Sequence, residues 1–548
     1  MPYHIGERNH LKTLPSYVYV YMKFSDLPSE AQQVITKVAL LNAAQHGGEA
    51  RTGPVIAGFL GDFPEYKKEM GSLGKEITNH VQEINALPEQ EQREKLLEID
   101  PSALDKKEPN TDPLKEVDIR EGTKVVTAFP PGPEKYPHIG HAKAILMNYE
   151  LSQRYNGEFI LRFEDTNPST VKTEYYEAMK EDFAWLGVDW DELVYASDHM
   201  DLYYTKVSQL IKEGKAYVAT ESSQEISESR RNKEPLESRN QSVEENEAIW
   251  QAMMRGENTE DVVLLKADIT HKNSAMRDPT LMRTLKETHA RQGDKYSLWP
   301  TYDLQTTVLD GEYGVTHRIR SKEFELRNEL HAYMQRVLGY DVTKIYEFAR
   351  FNVEGAVISG RKIRDGIESG RYDGWDDPSL MTLSALRRRG FHPGAIKQYV
   401  MKTGMSKTES THSTLELEQA NYKYVKDAPS TVFMQTPLRV ESDLGTVLVH
   451  EQQSHELQEG KAYRTRDGKV FSYTAEGFTR DFDTESYEEL DAALEDNMRH
   501  VEVLKTDTTI SGYILFDESA ETGQVIKLEG AGFARIDDMD ENKLCFAH

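Results

Sequence analysis

The sequence of 548 residues has little cysteine and no long apolar run. Cys545 is its single cysteine, which excludes disulfide bonds within the chain and cysteine-rich zinc sites and favours a reducing compartment. No stretch approaches the roughly 18 apolar residues of a membrane helix, and the opening residues MPYHIGERNH lack the apolar core of a signal peptide. We therefore expect a soluble, cytoplasmic protein that has no membrane partner.

Positive charge is also scarce. The 66 lysines and arginines are outnumbered by 93 aspartates and glutamates, which gives a formal net charge of −27. Proteins that bind nucleic acids usually carry a basic surface, so this balance counts against such a partner. Net charge governs solubility and long-range steering, however, and a local basic groove can exist on an acidic protein. A nucleic-acid partner is therefore less expected but not excluded.

Changes of pattern along the chain indicate several domains, as its length also predicts. Residues 1–118 are polar and have apolar residues at helical spacing, and within them the charged, proline-dotted segment 87–116 is typical of a linker. Alternating strand and helix patterns then predict a parallel sheet that is covered by helices on both faces. These strands and helices are expected at 124–130, 141–155, 158–164 and 170–188.

A polar insert at 220–300 separates this region from 304–320, where strand character returns. Residues 379–404 are helical, with a break at Gly390 and Pro393. From about residue 428 onward short strands alternate with turns, which predicts one or two β-barrels.

Two histidines, His138 and His141, follow the first predicted strand in FPPGPEKYPHIGHAKAILMNY (129–149). A structural metal site needs about four ligands, and no third ligand with metal-like spacing is nearby. A pair of surface histidines at a helix start is a second alternative. A phosphate site is favoured, because a helix N-terminus presents unpaired N–H groups and a partial positive charge, and Gly140 leaves room for a flat ring. The position also matches the ligand crevice of doubly wound sheets.

The segment PHIGHAKAILMNYELSQRYNGEFILRFEDTNP (137–168) resembles the HIGH signature of class I aminoacyl-tRNA synthetases, in the form used by the glutamyl/glutaminyl branch. Similarity continues through LGVDWDE (186–192), YDLQTTVLDGEYGVTHRIRSKEFE (302–325) and YDGWDDPSLMTLSALRRRGFHPGAI (372–396). The β-rich tail is similar in kind to the anticodon-binding barrels of archaeal and eukaryotic glutamyl-tRNA synthetases and of glutaminyl enzymes, whereas bacterial glutamyl enzymes end in helices. The resemblance favours the archaeal/eukaryotic glutamyl type.

The resemblance implies a multidomain α/β plus β fold, in which a Rossmann-like parallel sheet is split by an α/β insert. The domains that it implies are an N-terminal helical extension and linker (1–118), the first half of the catalytic domain (119–219), an inserted acceptor-stem-binding domain (220–300), the second half of the catalytic domain (301–352), the signature loop with a helical connector (353–427), and C-terminal anticodon-binding β-barrels (428–548).

The resemblance also implies the chemistry. An amino acid carboxylate attacks the α-phosphate of ATP, whose phosphates carry Mg²⁺, and tRNA then accepts the acyl group. His138 and His141 would be catalytic, stabilising the reacting phosphate, and Gly140 would lie under the adenine. The ATP site would further include Pro131, Gly132, Glu323, Ser359 and Arg361. No protein-bound zinc is expected, since YVATESSQEIS (217–227) lacks the cysteine cluster of some relatives.

The signature loop VISGRKIRDGI (357–367) departs from the family pattern. Gly360 stands where the family has a lysine that contacts the pyrophosphate side. Arg361 or Lys362 is therefore expected to supply the catalytic cation, although arginine and lysine are not interchangeable. A solvated basic turn is the alternative.

The segment that leads from the first predicted strand into the first predicted helix, residues 128–137 and here called the first loop, departs from the pattern at two further positions. Ala128 stands where an arginine usually precedes the phenylalanine, and Lys135 stands where a glycine is common. Together with Gly360 they leave open a synthetase-like protein that binds tRNA or another partner with weak or no catalysis.

Four residues would form the amino acid pocket by resemblance: Glu164, Tyr302, Thr306 and Arg320. Glu164 would bind the substrate ammonium, and Tyr302 would add hydroxyl contacts. Arg320 would distinguish glutamate from glutamine, because glutamyl enzymes keep an arginine there for the side-chain carboxylate, whereas glutaminyl enzymes have a smaller neutral residue. A guanidinium pairs with a carboxylate through two hydrogen bonds, so glutamate is favoured. A glutaminyl enzyme, and a surface ion pair of Arg320 with Glu323, remain the alternatives.

The run Arg387, Arg388 and Arg389 next to the predicted helix break predicts contact with tRNA phosphates, and a solvated helix face is the ordinary alternative. The β-rich tail would bind unstacked anticodon bases. The expected partners are L-glutamate, ATP and tRNA(Glu). Whether tRNA(Gln) is a second acceptor, and whether residues 1–118 bind tRNA or another protein, is left open.

Overall fold

Two units, Met1–Asn110 and Thr111–His548, make up the chain in a computed structural model. The structure describes residues 23–45, 48–100, 112–120, 122–257, 259–481, 484, 486–515, 520–529 and 531–547. Of the predicted N-terminal extension, residues 1–22 and 101–111 therefore lie outside the described residues, as does most of the second half of the predicted linker.

The first unit is helical, as its apolar spacing predicts. Its α-helices are α1 (Ser29–Gln45), α2 (Thr52–Asp62), α3 (Met70–Asn85) and α4 (Glu89–Ile99). The linker prediction is wrong at α4, because a segment rich in Glu, Gln, Lys and Leu has high helix propensity even when it is strongly charged. Gln92 of α4 is buried and donates hydrogen bonds to the carbonyl of Ile84 at 2.9 Å and to that of Gly48 at 3.0 Å, which fixes α4 to the rest of the unit.

The second unit begins with the predicted strand–helix alternation. Its elements are β1 (Val126–Phe129), α5 (Ile139–Arg154), β2 (Glu158–Phe163), α6 (Thr173–Trp185), β3 (Glu192–Tyr195) and α7 (Met200–Lys212). All four residues of β1 are buried, and so are the last five of β2. Strands that are covered on both faces lose the alternation of apolar and polar residues, which explains their continuous apolar sequence.

The insert forms a small antiparallel sheet of four strands, which pair in the order in which they follow in the sequence. Its elements are β4 (Ala216–Ala219), α8 (Ser223–Asn232), α9 (Val243–Met254), β5 (Val262–Leu265), β6 (Thr280–Thr284) and β7 (Leu298–Pro300). Ser222 with Glu225, and Ser242 with Glu245, form capping boxes at the starts of α8 and α9.

The chain then returns to the parallel sheet and continues into a helical connector. The elements are α10 (Tyr302–Glu312), β8 (His317–Ser321), α11 (Glu325–Val337), β9 (Lys344–Phe348), β10 (Phe351–Val353), α12 (Gly360–Glu368), α13 (Leu383–Arg388), α14 (Pro393–Met401), β11 (Ser410–His412) and α15 (Thr414–Val425). The strand prediction for 304–320 is wrong in its first half, which is α10. Residues 303–310 of α10 are all buried, so a helical period is absent, and Thr306, Thr307 and Val308 resemble a strand.

The parallel sheet has the order β3-β2-β1-β8-β9. The chain runs outward from β1 to β2 and β3, and returns on the other side of β1 as β8 and β9, where Thr127 pairs with His317. The strand order therefore reverses between β1 and β8. In open sheets of this kind, ligands bind outside the carboxyl ends of the strands at such a point.

The C-terminal region is all β. Its strands are β12 (Ser430–Met434), β13 (Leu438–Ser442), β14 (Gly445–Val449), β15 (Ala462–Thr465), β16 (Val470–Thr474), β17 (Gly477–Arg480), β18 (Glu488–Leu490), β19 (Ala492–Leu494), β20 (Met498–Leu504), β21 (Thr509–Leu515), β22 (Val525–Glu529), β23 (Gly532–Asp538) and β24 (Lys543–Phe546). Six of them form a closed barrel in the order β12-β21-β20-β24-β23-β22, and the other seven form one sheet.

The predicted fold class, a split Rossmann-like sheet with a helical connector and a β-rich tail, is thus confirmed. The predicted helix break at 390–393 is confirmed too: Gly390, with φ of 86°, follows the C-cap residue of α13, and Pro393 opens α14. In the described part of the chain, none of the helices combines the length and the apolar character that crossing a membrane requires.

Candidate active site

A cavity of about 710 Å³ lies at the carboxyl ends of β1 and β8. The first loop, the ends of β2 and β8, the start of α10 and the start of α12 all contribute side chains to its wall. Ten of the residues predicted to bind ATP or the amino acid line it: Pro131, Gly132, His138, Gly140, His141, Glu164, Tyr302, Arg320, Glu323 and Ser359. The structure therefore brings together residues that lie up to about 230 positions apart in the sequence.

The two histidines are fixed by the first turn of α5. His138 is its N-cap residue, and its Nδ1 accepts a hydrogen bond from the backbone N–H of Gly140 at 3.0 Å. The Nδ1 of His141 accepts one from the backbone N–H of His138 at 3.1 Å. A nitrogen that accepts a backbone N–H carries no proton, so in both neutral rings the proton resides on Nε2. Each imidazole therefore has one N–H left for a ligand.

Both rings are held neutral. Burial lowers the pKa of His141 to about 3, with a further contribution from the nearby Lys135. Burial lowers the pKa of His138 well below its usual value, and His141 and Lys135 add to the effect. The ring centroids are 4.0 Å apart, so two positive charges there would repel strongly. The pair can donate hydrogen bonds to an anion without gaining or losing a proton.

Gly140 is required by the histidine pair itself. A Cβ atom at this position would lie 2.9 Å from Cε1 and 3.0 Å from Nδ1 of His138, closer than packed atoms tolerate. The absence of a side chain thus lets the His138 ring fold back onto the helix start. Gly140 also lines the cavity, where the resemblance places the adenine.

A buried network of charged groups lies against the cavity wall, to which its members Glu164 and Arg318 belong. Asp310 of α10 accepts hydrogen bonds at 2.8 Å from both Arg162 and Arg318. Arg162 also donates to Glu164 at 3.2 Å, and Thr306 donates to the same carboxylate oxygen. Thr306 is fully buried behind Glu164 and does not line the cavity. It therefore orients Glu164.

The pKa values follow this arrangement. Burial disfavours ionisation of Asp310, but Arg318 and Arg162 outweigh it, so the pKa of Asp310 is below its usual value. Burial raises the pKa of Glu164 above its usual value despite the contact with Arg162. The two guanidiniums are thus shared between one firmly ionised carboxylate and a second one that protonates more readily.

Arg320 is buried in the same wall, with 6% of its surface exposed. Its guanidinium lies 3.4 Å from the hydroxyl of Tyr302 and 3.4 Å from Nδ1 of His331, and it donates to the amide oxygen of Asn328. These three partners are neutral, and Nε has no hydrogen-bond partner. No carboxylate in the described part of the chain forms an ion pair with Arg320. Glu323, the alternative partner considered above, lies 3.6 Å from Arg350.

The buried groups around Glu164 and Arg320 carry an excess of positive charge. Three guanidiniums, those of Arg162, Arg318 and Arg320, are accompanied by two carboxylates, those of Glu164 and Asp310. Two further buried carboxylates nearby, Glu347 and Asp303, are balanced by ion pairs with Lys407 and Arg327. Burying an uncompensated charge is costly, so such a site favours a ligand that brings one net negative charge.

The signature loop places its two predicted cations elsewhere. Ser359 and Gly360, at the start of α12, line the cavity, but Arg361 and Lys362 are exposed and do not. The side chain of Arg361 is 88% exposed and lies 4.0 Å from Asp365. In this structure neither side chain reaches the cavity.

The three arginines predicted to bind tRNA have internal partners. Arg389 is 7% exposed and donates to the carbonyl of Ala547 at 2.7 Å, which leaves it unable to reach a phosphate. Arg388 donates to Asp537 at 2.7 Å, and Arg387 lies 3.4 Å from Asp182. Arg388 and Arg389 hold the barrel against α13. Arg387, 36% exposed, is the one of the three with the most surface.

Sequence reasoning missed several cationic residues of the cavity wall: Lys135, Arg283, Arg318 and Arg350. Lys135 and Arg318 carried a signal. Lys135 interrupts a loop in which glycine is common, and Arg318 alternates with Arg320 on β8, so both side chains lie on one face of the strand. Arg283 comes from the insert, whose contact with the cavity depends on tertiary structure.

The donor set of the cavity suits phosphates and carboxylates better than a metal ion held by the protein. Among the described residues, no group of three or more His, Cys, Asp or Glu side chains is arranged to hold a metal.

A parallel sheet of this order, with a histidine pair at the start of its first helix and a split by an insert, is the architecture of class I tRNA synthetases. Residues 124–427 match the family model described as tRNA synthetases class I (E and Q), catalytic domain. The chain belongs to this family.

Three curated relatives, each described as glutamate–tRNA ligase, give the nearer comparison. The protein of Cenarchaeum symbiosum is 39% identical over 75% of this chain and 72% of its own length. That of Pyrococcus abyssi is 38% identical over 75% and 74%. The similarity to the protein of Methanobrevibacter smithii, at 31% identity, extends over 94% of this chain and 99% of the relative. The resemblance inferred from the sequence is thus confirmed.

Proposed function

We propose that this chain is a glutamate–tRNA ligase, which activates L-glutamate with ATP and transfers it to the 3′ end of tRNA(Glu). The observation that carries the proposal is Arg320, a buried guanidinium in the cavity wall whose described partners are all neutral. The side-chain carboxylate of glutamate would pair with this guanidinium through charge-assisted hydrogen bonds. The names of the curated relatives support the same substrate.

Selection of glutamate over glutamine follows from the charge balance. Zwitterionic glutamate carries one net negative charge, which matches the excess of one positive charge among the buried groups. Glutamine is neutral and would leave that charge unpaired, at a cost of about 2–5 kcal/mol. Glu164 lines the same cavity and is the acceptor for the substrate ammonium, while Tyr302 adds a hydroxyl beside Arg320.

Activation needs positioning and charge stabilisation rather than an enzyme nucleophile. A carboxylate oxygen of glutamate forms a bond to the α-phosphorus of ATP. The bond from that phosphorus to the oxygen of the β-phosphate breaks, and pyrophosphate leaves with the electron pair. The Nε2–H groups of His138 and His141 would donate to phosphate oxygens throughout, since both rings stay neutral. The N-terminus of α5 adds a partial positive charge.

The ATP would lie along the first loop and the start of α12, against Pro131, Gly132, Gly140, Glu323 and Ser359. Mg²⁺ would travel with its phosphates and neutralise part of their charge when bound. The exposed Arg361 and Lys362 would reach the phosphates only if the loop moved, and they stay predictions. We place the reaction in the cytoplasm, where tRNA charging takes place and where the single, buried Cys545 stays reduced.

Aminoacylation of total tRNA, resolved into glutamate and glutamine acceptors, tests the proposal. The expected result is glutamyl-tRNA(Glu), and the same assay decides whether tRNA(Gln) also accepts glutamate. ATP–pyrophosphate exchange with each amino acid, with and without tRNA, gives the matched comparison. Exchange with glutamine alone would instead establish a glutaminyl enzyme. Tight tRNA binding without charging at high enzyme concentration would establish the weakly catalytic alternative that Ala128 and Gly360 leave open.

A further inference from the structure

Lys135 of the first loop lies directly over Gly360 of α12. A Cβ atom at position 360 would lie 2.6 Å from Cδ, 3.1 Å from Cβ and 3.3 Å from Cγ of Lys135. The lysine stem thus occupies the space that any side chain at position 360 would need. The two positions cannot both hold a lysine in this arrangement, and the chain has the lysine on the first loop.

The ammonium of Lys135 is aimed at the histidine pair. Its Nζ lies 3.4 Å from Nε2 of His138. Because Nδ1 of His138 accepts from Gly140, that Nε2 carries a proton. The ammonium and this N–H are therefore both donors, and they form no hydrogen bond with each other. Two donors that converge on one point inside a cavity create a place for an acceptor, and a phosphate oxygen fits both.

We propose that Lys135 supplies the catalytic cation that binds the leaving pyrophosphate, in place of a lysine on the signature loop. The inference rests on the proposed function for the identity of the reaction. In the activation step the bond between the α-phosphorus and the bridging oxygen breaks, and the electron pair leaves with pyrophosphate. The ammonium of Lys135 stays protonated and stabilises the charge that develops there.

The surroundings of Lys135 support this role. Burial lowers the pKa of Lys135 below its usual value, so an anionic ligand beside it would stabilise the charged ammonium. Arg350 also lines the cavity, but it is half exposed and lies 3.6 Å from Glu323. Arg364 of α12 donates to the carbonyl of Glu134 at 2.7 Å, which ties the helix to the loop that carries the lysine. The cation is thus held on the first loop, which α12 contacts.

Variants that move the lysine from position 135 to position 360 test the proposal. Lys135→Met keeps the stem on Gly360 and removes the charge. Lys135→Gly removes both, and Lys135→Gly with Gly360→Lys moves the lysine to the signature loop. Lys172→Met is the control, since Lys172 is 60% exposed and lies outside the cavity wall. The readouts are kcat and KM in ATP–pyrophosphate exchange, and equilibrium binding of Mg·ATP and of inorganic pyrophosphate by calorimetry.

Lys135→Met and Lys135→Gly should each lower kcat by about 100-fold and weaken pyrophosphate binding, with the KM for glutamate little changed. The double variant should regain at least tenfold of that loss, and Lys172→Met should behave as wild type. Activity of Lys135→Met within twofold of wild type would overturn the proposal, and so would a double variant no better than Lys135→Gly. If wild type binds Mg·ATP and pyrophosphate but shows no exchange with glutamate, the proposed function fails. The effect of Lys135→Met on pyrophosphate affinity then still decides the role of the lysine.

Discussion

The backbone N–H of His138 donates to Nδ1 of His141 at 3.1 Å. The first turn of α5 therefore sets the tautomer of His141, with the proton on Nε2. We expect both rings to stay neutral, with the proton on Nε2, at pH 6.5, where a free imidazole titrates. ¹⁵N NMR of histidine-labelled protein, with His138→Asn and His141→Asn variants for assignment, measures this directly. A titration of either ring near pH 6.5 would contradict it.

Since burial lowers the folded-state pKa of His141 to about 3, the unfolded chain takes up the proton first, and the stability that this group contributes is lost as the pH falls below about 6.5.

Replacement of Arg320 should affect glutamate far more than glutamine. Arg320→Gln removes the charge that lacks an ionic partner and keeps hydrogen bonds to Tyr302 and Asn328 within reach. We expect kcat/KM for glutamate to fall by about 100-fold or more, while that for glutamine, low in wild type, changes by less than about tenfold. The measurement is ATP–pyrophosphate exchange in the presence of tRNA. Arg320→Lys is the matched variant, which should not restore activity because an ammonium lacks the planar fork. An equal loss with both amino acids would refute the assignment.

Arg318 should share in binding glutamate. It stands beside Ala128, because Thr127 of β1 pairs with His317 of β8 and the next residue of each strand points to the same face. By the resemblance drawn from the sequence, position 128 would hold an arginine, and Arg318 brings a guanidinium to that face from the neighbouring strand. Arg318→Ala should raise the KM for glutamate by about 30-fold or more and leave the KM for ATP nearly unchanged. Adding Ala128→Arg to this variant should recover part of the loss. A rise of the KM for glutamate and the KM for ATP together, or no recovery in the double variant, would indicate that Arg318 has only a structural role through Asp310.

Lys143 should destabilise the folded protein at neutral pH. It is buried in α5, donates to Thr403 at 2.7 Å and lies 4.7 Å from the ring centroid of Phe348, and burial lowers its pKa to about 8. Below pH 8 the folded chain must keep a buried charge. Above pH 8 it releases a proton that the unfolded chain retains to about 10.5, so stability from this group rises with pH over that window. Lys143→Met should raise the free energy of unfolding by about 2 kcal/mol at pH 7, and by less at pH 9.5.

Urea denaturation at the two pH values, with Lys172→Met as an exposed control, measures this effect. If the free energy of unfolding rises equally at pH 7 and pH 9.5, the gain comes from packing of the methionine and not from removal of a charge.

The sequence by itself determines those structural features that depend on residues close together in the chain. The start of α5 is one case, because a histidine N-cap, a glycine and a second histidine within one turn specify their own hydrogen bonds. The break after α13 is another, because Gly390 adopts a positive φ and Pro393 cannot continue a helix. The alternation of apolar strands and amphipathic helices likewise predicted a parallel sheet, and matched residues identified the family.

Tertiary structure decided which charged residues face the cavity. The unusual position of Lys135 in the sequence did not show that its side chain lines the cavity while that of Arg361 is exposed. Likewise, nothing local distinguishes Arg389, which holds the barrel, from an arginine on the surface. The helix α10 was hidden for a related reason: it is buried on all sides, so its sequence lacks the period that solvent on one face would impose. The fate of a charge depends on what other parts of the chain place around it, because desolvation and pairing arise from neighbours distant in sequence.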